Sequence, residues 1–318
     1  MENKRIVFMG TPDFAVATLN ALVEDGQQVV AVVTAADKPA GRGRQLRGSA
    51  VKERALQLGL PVLQPEKLKD PAFIAALEGY DAALYVVVAF RMLPELVWAR
   101  PKLGTVNLHG SLLPAYRGAA PINWAVINGE KRTGVTTFLI RHEIDTGDML
   151  LQGSVDIGPD ETAGDVHDRL MTFGARLMVR TVNELFNGTI TAHAQHIEVD
   201  SPPPSAPKLN TENMHLDFNR STRNVHDHVR GMSPFPGAWC TWTDPHGHAQ
   251  HCKILRTALT SVRSNNRNGE LRVDGQRLFV TCADGELEIL ELQTEGRKRM
   301  STADLLRGAR NVHQSVLS

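Results

Sequence analysis

The chain is predicted to be α/β, with a mostly parallel, doubly wound sheet followed by a smaller all-β domain, a barrel or a sandwich. Three observations lead there. Before residue 140, near-continuous apolar strands alternate with helical stretches, the pattern of a sheet covered on both faces. Residues 189–208, TITAHAQHIEVDSPPPSAPK, lose periodicity around a Pro-rich centre and read as an extended linker. Beyond them, short alternating runs are separated by Asp274-Gly275 and Asp284-Gly285, which are hairpin turn signals. At 318 residues the chain accommodates two domains of roughly 100–200 residues each. The expected boundaries are 1–188, a linker at 189–208, and 209–318.

Taken in order, Ile6–Met9 form a buried strand closed by Gly10. Thr11 is placed as an N-cap, Pro12 as the first helical residue and Asp13 at the positive end of the helix dipole. The turn lacks the GxGxxG spacing, so a dinucleotide site is not supported. Further strands are expected at Val29–Thr34 and over 83–88, 105–108 and 134–140. Between the second strand and the next helix, DKPAGRGRQLRGSAVKER holds Lys38, Arg42, Arg44, Arg47, Lys52 and Arg54 among three glycines. Such a stretch is either a solvated loop or a contact for a phosphate backbone. A helix follows Ser49, and a longer one follows Thr162, with Val166, Leu170, Phe173, Leu177 and Leu185 on one face. Val225–Met232 reads as a short amphipathic helix ended by Pro234-Phe235-Pro236-Gly237. Strands are expected over 253–259, 270–273, 277–282 and 286–292.

Composition narrows the function classes. Lys plus Arg and Asp plus Glu each number 35, so nothing global draws the chain to nucleic acid and any such binding must be local. Cys240, Cys252 and Cys282 fit no disulfide or zinc spacing and are read as reduced, partly buried thiols. Met1–Arg5 runs straight into a strand, unlike a secretory signal, and no apolar run reaches the ~20 residues of a membrane span. A cytoplasmic protein without a metal is expected.

The chemistry concentrates in GTVNLHGSLLPAYRGAAPINW, residues 104–124. Asn107 and His109 alternate with Val106 and Leu108, so both leave the strand on one face, about 7 Å apart at ~3.4 Å per residue. In doubly wound sheets, ligands bind beyond the carboxyl ends of strands, where this pair sits. A fixed amide donor beside a proton-shifting imidazole suits the oxyanion of acyl transfer. Downstream, Asp145 and Asp148 flank Gly147, and a carboxylate there can orient the imidazole or hold its proton.

Asn107 through Pro121, with Ile144–Asp148 downstream, resembles the core of the formyltetrahydrofolate-dependent formyltransferase family. Ser111-Leu112-Leu113-Pro114 matches its folate-holding loop. FMGTPDFAV, DKPAGRGRQL, SAPKLN, SPFPGAW and LQTEGRKRM are similar to the members whose acceptor is aminoacylated initiator tRNA, so the likeness spans essentially the whole chain. The resemblance implies a Rossmann-like catalytic domain followed by an OB-type β-barrel that binds tRNA. It also implies 10-formyltetrahydrofolate as the formyl donor and initiator methionyl-tRNA as the acceptor; nothing in the sequence demands an oligomer, and a monomer is expected. By the same likeness, the catalytic set is Asn107, His109 and Asp145. The folate contacts are Phe90, Leu93, Pro94, Ser111, Leu112, Leu113 and Pro114. The expected tRNA contacts are Lys38, Arg42, Arg44 and Lys208, with Arg42 the foremost among them. Two stretches depart from the family: 88–94 is shorter and lacks a glycine, and Arg141-His142 replaces a common Met-Asp pair.

Overall fold

Seven strands form one sheet: β1 Arg5–Gly10, β2 Gln28–Val33, β3 Val62–Leu63, β4 Leu84–Val88, β5 Thr105–His109, β6 Arg132–Leu139 and β7 Met149–Asp156. The computed structural model describes residues 3–40, 45–197, 200, 202–308 and 312–318. The strand order is β7-β6-β5-β4-β1-β2-β3. Pairs β1–β2, β1–β4, β2–β3 and β4–β5 are parallel, and β5–β6 is antiparallel. The β-branched and aromatic runs IVFM and LYVVV are buried along their length, which is what a sheet covered on both faces demands. On one face Val7, Met9, Tyr85 and Val87 pack with Phe73 and Leu77 of helix α1 (Pro71–Gly79). The Asp13–Glu24 helix lies against β1 and β2.

Several local expectations change. The first helix begins at Asp13, and Pro12 occupies the cap position in extended conformation, so Thr11 does not cap it. The next helix, Ala50–Gln57, is capped as expected: the Ser49 hydroxyl accepts from the Lys52 amide at 3.0 Å. In the basic stretch, Lys38–Ala40 pairs antiparallel with Gln45–Arg47 as a short hairpin rather than an open loop, and Arg42 and Arg44 lie outside the described residues.

The chain divides into two compact units, each built from separate segments. One comprises Met1–Gly118, Gly134–Val155 and His167–Ser205; the other comprises Ala119–Thr133, Asp156–Val166 and Ala206–Ser318. The second unit holds an antiparallel sheet: β8 Ala238–Thr243, β9 Ala249–Leu259, β10 Leu271–Asp274, β11 Arg277–Cys282, β12 Gly285–Thr294, β13 Met300–Ser301 and β14 Val316–Leu317. Its order is β10-β11-β12-β9-β8-β14, with β13 on β12. The Leu317 amide donates to the Gly269 carbonyl and the Leu271 amide to that of Ser315, both at 2.8 Å, so the last strand returns beside the first and the sheet curls toward a barrel. Cys240 and Cys252 face each other across β8–β9; both are buried, and burial pushes the Cys282 thiol up to about 12.

Helix α2, Thr222–Gly231, forms where the short amphipathic helix is expected, but Val225 through Gly231 are all buried, so its polar side does not face solvent. Its polar residues are tolerated because each finds a fixed partner. His226 bonds the Thr257 hydroxyl at 2.9 Å and the Pro159 carbonyl at 3.2 Å. His228 donates to the Asn213 carbonyl at 3.1 Å. Arg230 pairs with Asp227 at 2.7 Å and donates to the Gly158 and Glu161 carbonyls.

Candidate active site

Strand β5 positions the pair predicted from sequence. Its register sets Asn107 between Val87 of β4 and Phe138 of β6, and His109 opposite Thr136. His109 is 6% exposed, and the Phe138 ring stands edge-on to it at 6.5 Å. Asn107 is half-buried, and among the described residues its side-chain amide has no hydrogen-bond partner. A half-buried amide without an internal partner is free to bond solvent or a ligand.

Both nitrogens of His109 face acceptors. Nε2 lies 2.8 Å from the Tyr116 carbonyl, and Nδ1 lies 3.8 Å from Asp145 Oδ2. The second distance is too long for a hydrogen bond but close enough for charge attraction across a largely buried gap. The arrangement accommodates a proton on each nitrogen, since a carbonyl and a carboxylate only accept. Nothing in the residue pattern pointed to the Tyr116 contact, because it uses a main-chain oxygen.

Asp145 reaches this place through its backbone. It sits at φ 55°, in the left-handed region that Asp tolerates better than most residues. The Gly118 amide donates to its Oδ2 at 3.0 Å. Gly147 is indispensable to the turn, since a Cβ there would meet the Leu139 carbonyl oxygen at 1.6 Å. The second aspartate, Asp148, is paired with Arg141, so Asp145 is the carboxylate turned toward the imidazole. That pairing also gives Arg141, one of the departures from the family pattern, a structural use.

The expected folate contacts fall in two segments leaving the ends of neighbouring strands, where Val88 and Leu108 are in register. Leu93 and Leu113 are buried, at 8% and 3% exposure, and Phe90, Leu112, Pro94 and Pro114 are half-buried. The Leu113–Pro114 bond is cis. Ser111 is fully buried and its hydroxyl donates to the Ala115 carbonyl at 2.6 Å. The Leu113 amide donates to the Thr136 hydroxyl, and its carbonyl accepts from Gln152 at 2.8 Å. This loop therefore offers shape and apolar surface, with its own polar groups already engaged. The main chain of 89–93 differs: it makes no hydrogen bond to another described residue, and Ala89 takes φ 47° without being glycine. Apolar side chains beside open main-chain amides and carbonyls suit a flat, polar-edged ring such as a pteridine. Among the described residues, no group of His, Cys, Asp and Glu could hold a metal ion.

The basic residues are scattered. Lys38 and Lys208 are both exposed. Lys38 lies in register with Arg47 across the hairpin. Lys52 is committed to Asp37 at 2.5 Å, and the Gln64 amide and Lys52 together hold the Asp37 carboxyl below its usual range. Arg54 donates to Asn20 and Gln57.

Comparison with known proteins identifies the family. Residues 4–182 match the formyl transferase family model, and 208–310 match the formyl transferase C-terminal domain. A methionyl-tRNA formyltransferase of Bacteroides thetaiotaomicron is 49% identical over 311 residues, covering 97% of each chain. One of Flavobacterium johnsoniae is 46% identical, again over 97% of each. Among solved structures, the sugar 3N-formyl transferase WlaRD superposes with a TM-score of 0.63 at 17% identity, covering 94% of this chain and all of that one. HypX of Aquifex aeolicus, in complex with tetrahydrofolic acid, gives 0.63 at 16%, covering 96% of this chain and 47% of that one. At those identities the structures speak for the fold alone.

Proposed function

The chain belongs to the formyl transferase family, and on that premise we propose that it carries the formyl group of 10-formyltetrahydrofolate to the α-amino group of methionyl initiator tRNA, the activity of a methionyl-tRNA formyltransferase in translation initiation. The observation that carries the chemistry is the unpartnered Asn107 amide beside the His109–Asp145 pair.

The amine attacks the formyl carbon and a tetrahedral oxyanion forms. As it collapses, the bond to N10 of the folate breaks, and the proton lost by the amine passes to the departing nitrogen. Asn107 donates to the oxyanion, a contact stronger in the transition state than in the ground state. His109 presents a ring N–H beside it, and Asp145, 3.8 Å from Nδ1, takes the proton from the amine and relays it through the ring to the departing N10. Phe90, Leu93, Pro94, Ser111, Leu112, Leu113 and Pro114 form or shape the slot for the folate.

For the tRNA, Lys38, Arg42, Arg44 and Lys208 are the proposed contacts. Lys38 and Arg47 supply the physical argument: like charges set opposite each other on a strand pair repel, and a phosphate between them removes the repulsion. We read the enzyme as a cytoplasmic monomer, since aminoacylated tRNA is made and used in the cytoplasm and no step of the chemistry calls for a second copy. Among the described residues no helix is long and apolar enough to cross a membrane.

The deciding experiment measures formyl transfer from 10-formyltetrahydrofolate to methionyl initiator tRNA for wild type and His109→Ala. Transfer by the first and a loss of about 10²–10⁴-fold in the second are expected. Folate binding without transfer to tRNA would overturn the acceptor and redirect the search to amino-sugar nucleotides.

A further inference from the structure

Residues 191–197 lie within the stretch read from sequence as a plain linker, and all but Gln195 are exposed. Gln195 alone is turned inward. The segment is sutured to the start of β7 by reciprocal main-chain bonds between Met149 and His193, each 2.8 Å. From there the Gln195 amide nitrogen donates to two carbonyls of the catalytic turn, those of Asp145 and Gly147, each at 2.8 Å. Its amide oxygen accepts from Arg117 Nε at 3.1 Å and from Nη2 at 2.5 Å. Arg117 adjoins Gly118, whose amide holds the Asp145 carboxylate.

These bonds close a circuit. The Asp145 side chain is held from Gly118, its main chain is held from Gln195, and Arg117 ties the two holders together. A non-glycine residue at φ 55° is held in a sparsely populated conformation, which persists where its surroundings over-determine it. The only side chain that donates to the Asp145 and Gly147 carbonyls among the described residues is Gln195. A carboxylate could not replace it, since both carbonyls need a donor. A hydrocarbon could not either, since Arg117 needs an acceptor.

We propose that Gln195 is a positioning residue for formyl transfer: it clamps the 145–147 turn so that the Asp145 carboxylate faces His109. The proposal rests on the assignment of Asp145 to the catalytic set. Its side chain is spent on Arg117, Asp145 and Gly147, so its loss is expected to act on the chemical step rather than on substrate binding.

Gln195→Glu tests this with little change of shape, keeping the Arg117 acceptor and removing the two donations. Gln195→Leu removes both. Two readouts are taken on the full-length protein: hydrogen exchange of the Gly118 amide, and kcat and KM for transfer to methionyl-tRNA. In Gln195→Glu, Gly118 exchange should accelerate and kcat should fall by about 10²-fold, the scale of an ångström-size misplacement, with both KM values unmoved. Gln195→Leu should behave alike if it folds; if it does not, Gln195→Glu decides alone. Unchanged Gly118 exchange overturns the clamp, as does faster exchange with an unchanged kcat or a defect confined to KM. A wild-type enzyme inactive on methionyl-tRNA would instead sink the acceptor assignment, while the exchange readout would still judge the clamp.

Discussion

Buried histidines stand in both units of this chain, and their surroundings separate function from architecture. His109, in the first unit, is 6% exposed; His226 and His228, in the second, are 2% and 9% exposed. Burial does not distinguish them. Around His226 and His228, the neighbouring polar groups are mutually satisfied: the Thr257 hydroxyl, the Pro159 and Asn213 carbonyls, and the Asp227–Arg230 pair. Around His109, a half-buried amide two residues away has no partner among the described residues, and a carboxylate is held at 3.8 Å by an unusual turn. A closed polar network specifies a fold, whereas an open one is built for something that arrives later.

The largest expected effect breaks the closed network. Arg230 and Asp227 are each 4% exposed in their side chains, and Arg230→Ala strands a buried carboxylate. Such a loss costs about 3–5 kcal/mol of stability, read as a fall in the midpoint of urea unfolding. The molecules that remain folded should keep wild-type turnover. An unchanged midpoint would mean that the α2 network is not structural, and the contrast would fail.

Asn107→Ala is the opposite experiment. It removes a group with no internal partner, so the unfolding midpoint should stay where it was. Turnover should fall about 10²–10³-fold, the cost of one oxyanion donor. Near-normal turnover would remove Asn107 from the mechanism, and a large loss of stability would show that its amide serves the fold after all.

The sequence made the strand of Asn107 and His109 legible because alternation alone sets both on one face. The mostly parallel sheet around them followed from apolar runs alternating with helical stretches; its strand order did not. What stayed hidden had physical reasons. Strand β7, MLLQGSVD, carries Gly153 at its middle, which reads as a breaker; a Cβ there would meet the Phe173 ring at 2.4 Å, so the glycine makes room for the helix packed on it. Ala238–Thr243 alternates buried and half-buried residues, but it follows two prolines and a glycine that end the helix before it. The burial of the polar side of helix α2 was not legible, because polar residues predict a solvent face unless their partners are known, and those partners lie up to 72 residues away in sequence. Gln195 left no trace at all, since a single amide in a polar stretch has no periodicity to betray it.

The smallest effect sharpens the comparison through pH. Burial, the largest cause for each, pushes the His226 and His228 imidazoles below their usual value, opposed by carbonyl bonds from Pro159 and Asn213. Asp227 and Asp160 also draw His226 upward, and Arg230 depresses it further. A histidine depressed in the folded state binds fewer protons there than in the unfolded chain. Its contribution is therefore fully present above the unfolded value near 6.5 and is lost as pH falls toward the folded one. Stability should drop on acidification below that point, by no more than about 1.4 kcal/mol per pH unit for each imidazole, because each accounts for at most one extra proton. His226→Gln, which keeps a side-chain donor but does not titrate, should flatten this slope and leave the pH profile of kcat untouched. His109 variants should change kcat and leave the slope in place. If His226→Gln moved the activity profile, the two histidine environments would be coupled, and the division between an architectural network and a chemical one would have to be abandoned.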